Sequence, residues 1–274
     1  MSPSKPLFSQ AKPLIGVLQL LPLPGAPNWQ GALADVVARA EQEAAALVTG
    51  GMDGLIIENT FDHPQNPDRL DAAGAVVMGL IAKRIQGFAT TPIGINVLRN
   101  DPMTALAVAT SVGADFIRVP LLTGAAIAES GIIQGQFRQL AEYRNQLQCH
   151  NIQIWADVSQ SRVTPLLGSV RRTLYELALE AWEVGGAHGI IITDPHVALE
   201  DIATISQSLP VPVLAEFSGD LVDAAHWLAV SDGLITADPL KKGFATPPHT
   251  QPTIDLAKVE SLRAMADELR QVGV

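Results

Sequence analysis

Charged and amide side chains recur at the ends of short apolar runs in this chain of 274 residues. Glu58 and Asn59 close the run that begins at Leu55, and Asn96 closes Ile93-Gly94-Ile95. Arg118 sits inside Phe116-Ile117-Arg118-Val119, and Asp157 follows Ile154-Trp155-Ala156. Two carboxylates, Glu58 and Asp157, beside the Arg118 guanidinium could carry out acid–base chemistry on a bound anion. Burial raises a carboxylate pKa and a neighbouring arginine lowers it, so such a set can be tuned toward neutrality. Asn96 and Arg99 would then orient the substrate. The same residues could equally form a satisfied ion-pair network that plugs the site, and the sequence leaves both readings open.

A second polar group lies toward the C-terminus, in Phe217-Ser218-Gly219-Asp220 and Ala237-Asp238-Pro239-Leu240-Lys241-Lys242. Ser218, Gly219 and Lys241 are candidate anion-binding positions. Asp220 and Asp238 oppose an anion there, Pro239 lacks an N–H to donate, and Lys241 and Lys242 offset this. The histidines His63, His150, His188, His196, His226 and His249 are scattered without paired helical spacing, so no metal site is expected. His188 stands at the beginning of an apolar run and reads as structural. Cys149 is the single cysteine, which excludes an internal disulfide. No dinucleotide, P-loop or nucleophile-elbow motif is present, and no cofactor is expected.

The elements that would position these groups follow from the spacing of apolar residues. Hydrophobic residues make up 47% of the chain and charged ones 17%, a composition that suits a folded domain of this length without staples. A formal charge of −10 argues against a sequence-independent grip on nucleic acid phosphates, and against attraction to an anionic membrane surface. The run Leu14-Ile15-Gly16-Val17-Leu18-Gln19-Leu20-Leu21 follows Lys5 and Lys12 and could pass for a signal sequence. Pro22, Pro24 and Pro27 cut it off and rule out a spanning helix, so it is expected to be a first strand.

Strands are expected near residues 14–19, 53–59, 92–97, 115–119, 152–157, 188–193, 211–215 and 232–236. Helices are expected over residues 31–49, 69–89, 102–111, 136–148, 170–184, 197–208, 221–230 and 255–272. Residues 120–135 and 158–168 read as loops. Related junctions recur before several strands: Gly50-Gly51-Met52-Asp53, Val112-Gly113-Ala114-Asp115, Gly185-Gly186-Ala187-His188 and Val230-Ser231-Asp232. Eight strand–helix units in one chain predict a single α/β domain, a (β/α)8 TIM-type barrel over residues 13–274 behind a loose tail of residues 1–12. An open doubly wound sheet is the alternative, and it lacks its usual Gly-x-Gly-x-x-Gly turn. In the barrel, alternation turns Leu55, Ile57, Ile93 and Ile95 outward and Glu58 and Asn96 inward. Glu58, Asn96, Arg118 and Asp157 would then converge from four consecutive strands.

Several segments, taken together, resemble the BtpA family, founded on photosystem I biogenesis factors of cyanobacteria. They are Gly16-Val17-Leu18-Gln19-Leu20-Leu21-Pro22-Leu23-Pro24-Gly25, Gly51-Met52-Asp53-Gly54-Leu55-Ile56-Ile57-Glu58-Asn59 with Asp62, Asn96-Val97-Leu98-Arg99-Asn100-Asp101, Phe116-Ile117-Arg118-Val119 and Ala156-Asp157-Val158. The resemblance implies a factor supporting photosystem I biogenesis or stability. Such a factor would be extrinsic on the cytoplasmic side of the thylakoid membrane, with photosystem I subunits or assembly factors as partners. A homo-oligomer is also expected, though no residue pattern specifies it.

Gln19 stands where the family carries His. Ser159-Gln160-Ser161-Arg162, Thr193-Asp194-Pro195-His196, Phe217-Ser218-Gly219 and the segment from Ala237 also depart from its pattern. Whether the chain catalyses a reaction is therefore left open. The alternative function is a metabolic barrel enzyme, of lyase or isomerase type, acting on a small phosphorylated or carboxylated substrate.

Overall fold

Short apolar runs, several of them entered from a helix that ends in small residues, form eight parallel strands closed into a barrel. The structure is a computed structural model and describes residues 6–159, 164–166, 172–243 and 252–271. In chain order the strands are β1 (Leu14–Gln19), β2 (Gly54–Glu58), β3 (Ile93–Asn96), β4 (Phe116–Val119), β5 (Ala125–Ala128), β6 (Gly131–Gln134), β7 (Gln153–Ser159), β8 (Thr164–Pro165), β9 (Gly189–Ile192), β10 (Val213–Phe217) and β11 (Gly233–Thr236). The barrel runs β1, β2, β3, β4, β7, β9, β10, β11, and β11 pairs with β1 to close it. The helices are α1 (Leu33–Thr49), α2 (Ala72–Ile85), α3 (Pro102–Val112), α4 (Phe137–Gln146), α5 (Leu174–Glu183), α6 (Leu199–Ser208), α7 (Ala224–Val230) and α8 (Leu256–Gln271).

Local chemistry sets several boundaries. Asp71 caps α2 by accepting from the Ala73 N–H at 2.8 Å, which starts the helix later than residue 69. Pro102 opens α3 behind the capping Asp101, and Gly113 closes it in the left-handed conformation at φ 72°. Thr173 and Glu176 form a reciprocal capping box at the start of α5. The helix expected from residue 170 therefore begins at Leu174, and residues 170–171 lie outside the described residues. Residues 221–230 split into a 3-10 turn, Leu221–Asp223, followed by α7.

The recurring junctions have one structural meaning. The Asp53 carboxylate accepts the Leu14 N–H at 2.9 Å, Asp115 accepts that of Ile93 at 2.8 Å, and Asp232 accepts that of Val213 at 2.8 Å. In the corresponding place His188 Nδ1 accepts the Ile154 N–H at 3.2 Å. Each residue precedes one strand and caps the entry of the neighbouring strand, so four such stitches hold the N-terminal end of the barrel. The ring of His188 serves the backbone, and burial lowers its pKa to about 4.

Two apolar layers follow from strand alternation. Leu55, Ile57, Ile93 and Ile95 face the helices, and Ile15, Val17, Ile56, Phe116, Trp155, Ile191, Leu214 and Ile235 fill the barrel interior. The Phe116 and Trp155 rings occupy room left by glycines. A Cβ built on Gly94 would lie 2.3 Å from the Phe116 ring, and one on Gly189 would lie 2.4 Å from Trp155. Leu7 and Phe8, from the stretch read as a tail, pack beneath this layer, with the Phe8 ring centroid 6.3 Å from Phe116 and 6.0 Å from Trp155.

The segment 120–135 is not the plain loop that was expected. It holds the antiparallel hairpin β5–β6, and β8 pairs with β5 within the stretch 158–168, also read as loop. Gly124 at φ 75° and Gly131 at φ 116° allow the turns. Three alanines in a four-residue strand carry almost no β signal, which hid β5 in the sequence.

Candidate functional site

Four side chains meet at one level of the barrel mouth because their strands are in register. Gln19 pairs with Glu58, Glu58 with Asn96, and Asn96 with Arg118. Asp157 projects one layer higher and reaches the Arg118 guanidinium through two contacts, Nε to Oδ1 and Nη2 to Oδ2, both at 3.0 Å. Arg118 Nη2 also donates to Glu216 Oε2. Asn96 Nδ2 donates to Glu58 Oε2 at 2.5 Å, and the Thr60 hydroxyl donates to Glu58 Oε1 at 2.6 Å. The structure thus brings Glu58, Asn96, Arg118 and Asp157 together.

One buried arginine faces three carboxylates, and that imbalance sets the electrostatics. Burial disfavours the Arg118 cation, but Asp157, Glu216 and Glu58 outweigh it and hold its pKa well above the ordinary range. Burial pushes Asp157 up to about 7; Arg118 pulls against this, and Glu216 and Glu58 add to it. A carboxyl group near neutrality, beside a permanently charged guanidinium, can take and return a proton at working pH.

Around this centre lies a cavity of about 940 Å³. On the β11 side the buried Lys241 ammonium donates to Gln19 Oε1, donates to Asp238 Oδ1 at 2.7 Å, and sits 5.4 Å from the Phe61 ring centroid. Gln19 therefore anchors Lys241. Arg99 enters from the loop after β3, with its Nε 3.6 Å from Glu129 Oε1 on the β5–β6 turn. Ser218 and Gly219 line the rim after β10. The short helix beyond them is capped by the chain's own Asp220, whose Oδ1 accepts the Val222 N–H at 3.3 Å.

Other polar residues near the mouth hold loops. Asp62 accepts the Leu23 N–H at 2.7 Å and the Asn59 amide at 3.0 Å, and burial raises its pKa. Asn59 Oδ1 accepts the Leu98 N–H at 2.7 Å, and Asn100 pins the segment at Leu121 and Gln134. Among the described residues no cluster of three or more His, Cys, Asp or Glu side chains could hold a metal ion, and His249 lies outside them.

Glu216 and Thr60 were not among the candidate site residues. The strand expected over residues 211–215 starts at Val213, after Pro212, which has no N–H, and its pairing with β11 carries it to Phe217, so Glu216 falls inside β10 facing the mouth. Its inward position follows from alternation once that boundary is known.

A family model described as the BtpA family matches residues 10–268. The chain belongs to the BtpA family. The "Photosystem I biogenesis protein BtpA" of Synechocystis is 38% identical over 96% of this chain and 91% of its own length. An uncharacterised protein of Pyrococcus abyssi is 36% identical over 86% of this chain and 90% of its own. A mitochondrial uncharacterised protein of Caenorhabditis elegans is 27% identical over 77% of each chain. Among solved structures, the tryptophan synthase alpha subunit of Legionella pneumophila superposes with TM-score 0.60 and 13% identity, covering 94% of this chain and 93% of that one. Thiamine phosphate pyrophosphorylase of Pyrococcus furiosus gives TM-score 0.58 at 15% identity, covering 94% and 96%. These likenesses place this BtpA family member among (β/α)8 barrels. Among its described residues no helix is long and apolar enough to cross a membrane.

Proposed function

We propose that this BtpA family protein is a barrel enzyme that moves a proton on a small anionic substrate, as a lyase or isomerase does. The observation that carries the reading is Asp157, buried at the C-terminal mouth against Arg118, with its pKa pushed to about 7. Asp157 is then the acid–base group, Glu58 its partner across Asn96, and Arg118 the fixed charge that orients both. Relatives in Pyrococcus and in an animal have no photosystem to assemble, which supports a chemistry common to the family. The test is incubation of the purified protein with a small-molecule extract of its host, read by mass spectrometry. Conversion of a compound by the wild type, lost in the Glu58→Gln/Asp157→Asn double variant, is expected. Identical extracts for the two proteins would refute the reading.

A second reading is favoured by the 38% identical Synechocystis relative. In it the protein is a photosystem I biogenesis or stability factor, extrinsic on the cytoplasmic side of the thylakoid membrane and in contact with photosystem I subunits or assembly factors. In a photosynthetic host, deletion should lower photosystem I relative to photosystem II, and normal photosystem I content would rule this reading out. Restoration of photosystem I by the double variant would make the role a scaffolding one, independent of Asp157 chemistry.

A further inference from the structure

Two buried polar atoms on the β3 side of the mouth lack a hydrogen-bond partner, Asn96 Oδ1 and Arg99 Nε. Asn96 is 1% exposed and Arg99 7%, and both line the 940 Å³ cavity. Neither orphan atom is itself open to the cavity, but a buried polar group left unpaired is disfavoured, so two behind one cavity wall mark a place where a ligand supplies the partners as the side chains turn outward. Their needs are opposite. Asn96 donates from Nδ2 to Glu58, and its orphan Oδ1, an amide oxygen, is an acceptor. Arg99 can only donate. Among the described residues Arg99 pairs with the carboxylate of Glu129 on the β5–β6 turn, 3.6 Å away, beyond hydrogen-bond length, with its side chain 59% exposed.

The anion position usual in such barrels, after the last two strands, is opposed here by the chain's own carboxylates. Asp220 caps the short helix, and Asp238 is tied to Lys241. We propose that the mouth binds a small molecule whose oxyanion sits on Arg99 and whose hydroxyl or amino group donates to Asn96, with Glu129 leaving Arg99 as the ligand arrives. The inference rests on the reading of this mouth as a substrate site. It also fixes the substrate's direction: a donor on Asn96 lies beside Glu58, one of the two groups assigned to proton movement.

Isothermal titration of the full chain with two pairs of probes tests this: inorganic phosphate against glycerol 3-phosphate, and acetate against glycolate. The pair that binds identifies the oxyanion as phosphate or carboxylate, and its hydroxyl-bearing member should bind more tightly. Arg99→Gln should weaken that binding roughly tenfold or more, as expected for loss of a charged hydrogen bond. Glu129→Gln, at an exposed turn, should strengthen it roughly two- to fivefold by removing a competing charge. Failure of both pairs to bind overturns the proposal, as does unchanged affinity in either variant. If Arg99→Gln does not fold, the Glu129→Gln result decides. Turnover in the extract assay without Arg99-dependent binding overturns this anchor alone; binding without turnover overturns the enzyme reading alone.

Discussion

Replacing Asp157 with Asn should change how the protein's stability depends on pH. In the folded state burial holds the Asp157 pKa at about 7, against about 3.9 for an aspartate in an unfolded chain. The difference of about 3 pH units corresponds to about 4 kcal/mol at 1.36 kcal/mol per unit. The native state binds the extra proton. Its stabilising contribution is therefore complete below about pH 4 and is lost as pH rises through 7. Between pH 5 and 7 the wild type loses about 2 kcal/mol from this group, and Asp157→Asn loses none. At about 2–4 °C per kcal/mol for a domain of this size, the melting temperature of the variant should gain roughly 4–8 °C on the wild type across that interval. His188, with its pKa lowered to about 4, works in the opposite sense but is common to both proteins and cancels. Scanning calorimetry in half-unit steps at fixed ionic strength makes the measurement. Parallel melting curves, or a variant that loses ground on the wild type as pH rises, would refute the argument that burial dominates at Asp157.

Three further outcomes follow from the barrel interior and its N-terminal end. Gly94→Ala should destabilise by about 1–3 kcal/mol in urea denaturation, because the Phe116 ring lies where the new Cβ would stand. His188→Asp should stay within about 1 kcal/mol of the wild type, since an aspartate takes the same Ile154 N–H as its counterparts take at the other three stitches. His188→Ala should lose about 1–3 kcal/mol in the same measurement by leaving that N–H unpaired.

Where the sequence fell short, the reason was local weakness of signal. The hairpin β5–β6 is built from alanines and glycine-defined turns, so its strands show no alternation strong enough to read. Glu216 stands at a strand end in the sequence, and nothing local ties it to Arg118, 98 residues away. Gln19 read as a lost imidazole, yet in the folded chain it holds the Lys241 ammonium, a partner 222 residues away. Asp238 shares the same lysine, a contact only three residues apart in the chain.

The sequence by itself determined the repeating strand–helix unit, the count of eight strands in the barrel, and the face on which Glu58 and Asn96 lie. These depend on the two-residue period of a strand, the positions of proline and glycine, and apolar spacing within a dozen residues, all of which are local. It also showed the recurring Asp53, Asp115, His188 and Asp232 junctions. Only the tertiary structure decided what they do, which is to stitch neighbouring strands at the barrel entrance. Tertiary structure alone also decided that Arg118 is shared between Asp157 and Glu216, and that Arg99 and Asn96, in the cavity wall, each keep one buried atom unpaired. Those pairings depend on how far each strand is staggered around the closed barrel and how deep each side chain is buried. Neither quantity exists until strands distant in the chain have come together.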